Sequence, residues 1–290
     1  MKRFAVWDAL IYGFMLLLGF LSVFPFYYVV IVSFSDSTVL MNKVLYILPY
    51  SFILDAYTLL VKEGTIFRSA GISVFVTAVG TFLSILIITM AGYGLSKKEA
   101  PLRQFFLTMV LITMFFGGQL IPYYVLIRSL KLINSIWVLI LPGLMNSYYL
   151  IVMKNYFLSV PSSLEESARI DGANDYRILF QILVPISKPI LASISLFLAV
   201  GFWNEWWHAM LFLNTPNKWP MQMMLKEMLA NLATSSISPV AKMMAASYRK
   251  VNALSVRMAA IVITTIPILL VYPFVQKYFA KGVMLGSLKE

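Results

Sequence analysis

Residues 69–96 read Ser69-Ala-Gly-Ile-Ser-Val-Phe-Val-Thr-Ala-Val-Gly-Thr-Phe-Leu-Ser-Ile-Leu-Ile-Ile-Thr-Met-Ala-Gly-Tyr-Gly-Leu-Ser96, without one charged side chain. Wound as an α-helix the stretch is roughly 40 Å long, more than the ~30 Å of a bilayer's hydrocarbon core. It lacks the strict alternation of a barrel strand, and in hydrocarbon a backbone must satisfy its own hydrogen bonds, so the run can only be a helix. Working outward, similar runs recur at Ala9–Phe34, Gln104–Ile127, Leu132–Met153, Pro189–Asn217 (interrupted only by Glu205) and Met258–Gln276. The expected fold class is an all-α membrane protein of one transmembrane domain, 1–290. Its six transmembrane helices should lie near 9–34, 69–96, 104–127, 132–153, 189–213 and 258–276. The first run directly follows Met-Lys-Arg-Phe, is long for a signal-peptide core and ends in no small-residue cleavage site, so it is read as a retained span.

Composition narrows function. The chain is 60% hydrophobic and 12% charged, against roughly a quarter charged in soluble domains. With no cysteine and one histidine, it offers no thiolate nucleophile, disulfide or usual zinc or di-iron constellation. No Gly-x-x-x-x-Gly-Lys-Ser/Thr phosphate loop occurs, so the chain is not expected to hydrolyse ATP, to bind a cofactor or to be an enzyme. Six spans put both termini on one side. The short loop Lys97-Lys98-Glu-Ala-Pro-Leu-Arg103 favours that side being cytoplasmic.

Three segments between spans carry information. Leu54-Asp-Ala-Tyr-Thr-Leu-Leu-Val-Lys62 and Met221–Leu232 read as amphipathic helices on the outer face. Inside lies Val160-Pro-Ser-Ser-Leu-Glu165-Glu166-Ser167-Ala168-Arg169-Ile170-Asp171-Gly172-Ala173-Asn174-Asp175, followed by Tyr176 to Pro185. Ser162 with Glu165 forms a capping box, Gly172 should close the helix, and Asn174 should cap a second one with Tyr176, Ile178, Leu179 and Ile182 on its apolar face. A helical hairpin of this kind either merely connects spans or engages a partner.

Glu166-Ser167-Ala168, Gly172 and Ile182-x-Val184-Pro185 resemble, at the same spacing, the "EAA" signature of ATP-binding-cassette (ABC) importer permeases. Ser for the second residue and Val for the usual Leu are departures. Nearly the whole chain is similar to carbohydrate-uptake permeases of the maltose type, the MalG-like and LplC-like branch. Phe115-Phe-Gly-Gly-Gln-Leu-Ile-Pro122, Ile170-Asp-Gly-Ala173, Trp203-Asn-Glu-Trp206, Tyr272-Pro-Phe274 and Lys281-Gly-Val-Met284 carry that likeness. The resemblance implies a type I importer permease (MetI-like) fold in a bacterial plasma membrane, with both termini cytoplasmic. It implies a coupling-helix loop at 158–186, in which Glu165, Glu166, Ser167, Ala168, Asp171, Gly172, Ala173 and Pro185 meet an ATPase, and a cytoplasmic tail at 281–290. Its implied partners are a second homologous permease, two cytoplasmic ATPases that hold ATP and Mg, an extracellular or periplasmic solute-binding protein and an oligosaccharide, with no nucleic acid.

A solute pathway is sought where polarity enters the spans. Glu205 is ionisable within an otherwise uncharged run, and Trp203, Asn204 and Trp206 around it offer aromatic faces and amide edges suited to a sugar ring. Gly117-Gly118-Gln119 with Pro122 should open the third span, turning Gln119 and Tyr123 to a cavity. The competing readings are an interfacial aromatic belt and close helix packing through the glycines. His208 is read as structural. With this topology the outer segments hold Lys43, Lys62, Arg68, Arg128, Lys131, Lys218, Lys226, Lys242, Arg249, Lys250 and Arg257 against Asp36, Asp55, Glu63 and Glu227, an excess of seven positive charges. Such a face steers anions, so an acidic, uronate-type or alginate-like sugar is one expected solute. Uptake of a peptide or amino acid, a stand-alone secondary carrier, and a membrane enzyme using Glu205, Asp171 and His208 remain alternatives.

Overall fold

A computed structural model describes residues 6–35, 52–62, 64–116, 118–230 and 254–270. Gly117, the Tyr272-Pro-Phe274 and Lys281–Met284 motifs, the tail 281–290 and the end of the sixth span lie outside them. The described residues are helical, with no strand among them. Contacts divide the chain into two compact units, one of residues 1–67 with 224–267 and the other of 68–223 with 268–290.

In the first unit, α1 (Val6–Ser33) turns nearly all its large side chains outward, Trp7, Leu16 and Phe20 among them. In water such a surface would be unstable, whereas in lipid it is the natural exterior. Its last turn is fixed. Ile31 and Val32 are buried with Tyr28, Leu254 and Met258, Ser33 shares a 2.7 Å hydrogen bond with Tyr57, and Phe34 stacks on Phe52 and Tyr57. Tyr57 belongs to α2 (Asp55–Lys62), the expected outer amphipathic helix, which buries Ala56 and Leu60.

The second unit is organised on α3 (Thr65–Ser96), the span read first. Toward one end Val76 joins Ile127, Leu139, Phe202, Phe212 and Met223 in a buried cluster. Toward the other, Ile88 and Tyr93 join Met153, Phe157, Leu179 and Leu198. Glycine lets the neighbours come close: a Cβ on Gly80 would lie 2.8 Å from the Phe202 ring, and one on Gly92 3.0 Å from Met153 Cγ. Lipid supplies no hydrophobic drive between helices, so packing of this kind holds them together.

Three expected spans are interrupted. The third is two helices, α4 (Arg103–Phe115) and α5 (Leu120–Ser129), parted where glycines and Pro122 cluster, as anticipated. The fourth is not one helix over 132–153. It consists of 3-10 turns at Ile136–Leu139 and Leu141–Gly143, then α6 (Ser147–Ser159) after a 42° bend. Pro142 and Gly143 stop the first part, and Asn146 restarts the second by accepting from the backbone N–H groups of Tyr148 and Tyr149 at 3.0 and 3.2 Å. The hairpin, described next, holds α7 (Ser162–Ile170), α8 (Asp175–Arg177) and α9 (Val184–Ile186), and beyond it run α10 (Lys188–Trp203) and α11 (Trp207–Phe212). The last two are the fifth span, broken at 204–206. Helix α12 (Met221–Ala230) is the described part of the second expected amphipathic segment, and α13 (Leu254–Leu270) is the described part of the sixth expected span.

Gly80→Val should cost about 1–3 kcal/mol by overpacking against Phe202, read as a lower unfolding midpoint in detergent. Gly94→Ala, where a Cβ meets nothing within 4 Å, should leave the midpoint unchanged.

Candidate functional site

The hairpin forms, and its closure is local chemistry. Gly172 adopts φ +82°. Its N–H donates to Arg169 O at 3.0 Å, while the Ala173 N–H donates to Ala168 O at 2.9 Å. These are the two bonds of a Schellman turn, which needs the left-handed residue that glycine supplies. Asn174 then caps the second arm, its Oδ1 accepting from Arg177 N–H at 2.9 Å.

Two details differ from the sequence reading. Ser162 is the first residue of α7 rather than its cap, and the cap position is Pro161 with no side-chain bond. The Glu165 carboxylate, expected to reach back along its own helix, is taken instead by the Lys97 ammonium. Second, Tyr176 is 67% exposed while Ile178, Leu179 and Leu183 are buried. On a helical arm residue 176 lies about 200° from 178, so the two cannot share a face. The arm also widens into a π-helical stretch, Ile178–Leu183, just before Pro185. Proline lacks an N–H and its ring crowds the carbonyl four residues back, and a wider turn relieves both.

The signature residues fall on different sides. Glu166, Ser167, Asp171, Gly172 and Pro185 are exposed, Ala173 is half-buried, and Ala168 is 8% exposed in the cluster of Phe157 and Ile178. Glu166 makes no hydrogen bond or ion pair among the described residues. The hairpin also exposes Leu164, Ile170 (86% exposed) and Tyr176, of which the sequence reading had set Tyr176 on the second arm's inward apolar face. The hairpin also holds a polar group drawn from distant positions: Lys97 with Glu165, and Arg169 with Asp175. The Tyr93 hydroxyl donates to Asp175 at 3.5 Å. Burial first, then the neighbouring Arg169, pulls the Lys97 ammonium below the ordinary lysine pKa, while Asp175 opposes this.

The second candidate region is the break between α10 and α11. Glu205 is largely buried; its carboxylate accepts from His208 N–H at 2.9 Å and meets His208 Nδ1 at 2.9 Å. It thereby satisfies donors of α11 that the break would orphan. The His208 ring sits edge-on to Tyr123 at 5.8 Å, so Tyr123, Glu205 and His208 form one cluster. Asn204 stands outside it, accepting from Gln222 at 3.2 Å. Gln119 is exposed at the N-cap of α5. Trp206 is 37% exposed, but Trp203 is 7% exposed and faces the packed interior. No group of three or more His, Cys, Asp or Glu able to hold a metal occurs among the described residues.

Interrupted apolar spans with a glycine-closed hairpin between two of them fit a membrane transport subunit. No family model matches the chain. It is 42% identical over 284 residues, 98% of both chains, to the polygalacturonan/rhamnogalacturonan transport system permease protein YtcP of Bacillus subtilis. It is 38% identical over 93% of its length to Protein LplC of the same organism, covering 90% of that protein. One chain of the crystal structure of a bacterial ABC transporter involved in the import of the acidic polysaccharide alginate superposes with a TM-score of 0.88 at 29% identity, over 96% of this chain and 99% of that one. The chain belongs to the carbohydrate ABC transporter permeases, non-catalytic membrane subunits of MetI-like fold.

Gly172→Val should destabilise the hairpin turn by about 1–2 kcal/mol through backbone strain alone, since a Cβ there meets nothing within 4 Å. Gly172→Asn should retain most of the turn. Protease cleavage within 160–186, faster in the first variant, reads the difference.

Proposed function

We propose that the chain forms half of the translocation pathway of an ATP-driven oligosaccharide importer in a bacterial plasma membrane, with its termini and hairpin cytoplasmic. The other half is a second permease. Two ATPase subunits hold ATP and Mg inside, and a solute-binding protein delivers the sugar outside. Solute entering between the permeases is exposed to one side at a time. Closure of the ATPase pair pushes the hairpin, and the attached spans rock. The exposed Glu166 carboxylate, without a hydrogen bond or ion pair among the described residues, is what an ATPase groove with an arginine or amide donor would take, and the exposed Ile170 one turn on would add apolar contact.

The solute is an acidic oligosaccharide. The observation that carries this reading is that two near-full-length similarities, at 42% and 29% identity, are to permeases for polygalacturonan/rhamnogalacturonan and for alginate, chains bearing ring carboxylates. The outer excess of lysine and arginine supports the same solute. Within the pathway Glu205, Tyr123, Gln119, Asn204 and Trp206 offer hydroxyl partners and aromatic faces. Trp203 has a packing role.

In the reconstituted importer, galacturonate oligomers should stimulate ATP hydrolysis and be outcompeted by alginate oligomers; stimulation by neutral oligosaccharides alone would reject the acidic reading. Glu205→Gln keeps an acceptor for His208 N–H but loses the charge, and should change apparent KM for the sugar with ATPase subunits still bound. Glu166→Ala should do the reverse, weakening ATPase retention about tenfold while solute KM stays constant.

A further inference from the structure

Two adjacent glutamates open the hairpin, and the structure sends them in different directions. Glu166 points into solvent. Glu165 and Arg169, one turn apart on α7, share the face toward α3. There Glu165 meets Lys97, just past the end of α3, and Arg169 meets Asp175. Tyr93 joins the two pairs: its hydroxyl donates to Asp175 and its ring lies 4.3 Å from the Lys97 ammonium. The four charges alternate in sign and sum to zero. A cleft of about 490 Å³ bounded by Met90, Tyr93, Lys97, Arg169, Asp175 and Leu179 opens beside these groups; α7 itself buries Ala168 alone, in the cluster that also holds Tyr93, and the polar links add to that one apolar contact. The pair is partly buried, its side chains 29% and 17% exposed, which spares it much of the screening that weakens a surface ion pair.

We propose that Lys97–Glu165, braced by Tyr93–Asp175–Arg169, is a clamp that makes the hairpin and the inner end of α3 one rigid body. Glu165 is then a positioning residue for coupling, and of the two glutamates Glu166 alone is presented to the ATPase. This rests on the reading of the hairpin as the ATPase-contacting element. Without the clamp, α7 is held to the core through Ala168 alone between the turns at Pro161 and Gly172, and a push on it would bend the hairpin before it moved α3.

The test uses the assembled importer and reads ATP hydrolysed per sugar imported. Lys97→Glu and Glu165→Lys should each raise that ratio about tenfold. Their combination should return it to within about threefold of the starting value, and Glu166→Lys should stay defective with or without Lys97→Glu. A swap that fails to rescue while the subunits still copurify overturns the clamp. The chain has no cysteine of its own, so Lys97→Cys/Glu165→Cys can be bridged by a short thiol-reactive linker as a second measurement. The bridged chain should still transport, and loss of transport on bridging would mean that the two sites move apart and no clamp exists. If Glu166→Lys and Gly172→Val also leave the ratio unchanged, the hairpin is not the ATPase contact and the parent reading fails. If those two are defective while Lys97→Glu and Glu165→Lys are not, only the clamp fails.

Discussion

A backbone amide or carbonyl left without a partner in hydrocarbon costs several kcal/mol, and the irregular parts of this permease are arranged around that cost. Helices meet it automatically. Each interruption needs a substitute, and the structure supplies one from a nearby polar side chain. Asn146 takes the first N–H groups of α6, and Glu205 takes one of α11. A carboxylate within a span is thus explained first as a helix cap. Its pairing with His208 beside Tyr123 adds a polar cluster at the break.

Packing follows a second rule of the same solvent. Because lipid tails compete equally for apolar side chains, helices are held by shape, and α3 uses glycine to admit Phe202 and Met153. Water governs the hairpin below. There a Schellman turn, an asparagine cap and alternating charges produce stiffness from few residues. The two regimes meet at Tyr93, whose ring packs edge-on against Phe157 while its hydroxyl reaches Asp175.

Features set by local chemistry were legible in the sequence. Long uncharged runs declared the spans, Gly172 and Asn174 declared the turn, and Gly117-Gly118-Gln119 with Pro122 declared the break in the third span. Features set by partners distant in sequence were not. Nothing local distinguishes Glu165 from Glu166, and the capping box that Ser162 suggested lost to a lysine 68 residues upstream. Trp203 and Trp206 likewise share a motif, but one packs inward and the other is partly exposed. The fourth span was misread because absence of charge measures only partition into lipid, whereas continuity of the helix depended on Pro142 and Gly143.

The π-helical stretch before Pro185 carries a consequence in rotational phase. A π turn holds one residue more than an α turn, and one residue is about 100° of rotation. The buried stripe of the second arm, Ile178, Leu179 and Leu183, and the stripe of α10, Ile194 and Leu198, belong to the same cluster, although Pro185 and the turn at Ser187 lie between them. The extra residue acts as a phase shifter, letting one continuous stretch of chain keep two helices' inward faces on one core. One residue more or fewer in that stretch would turn the stripe of the fifth span away from the core it shares with the hairpin.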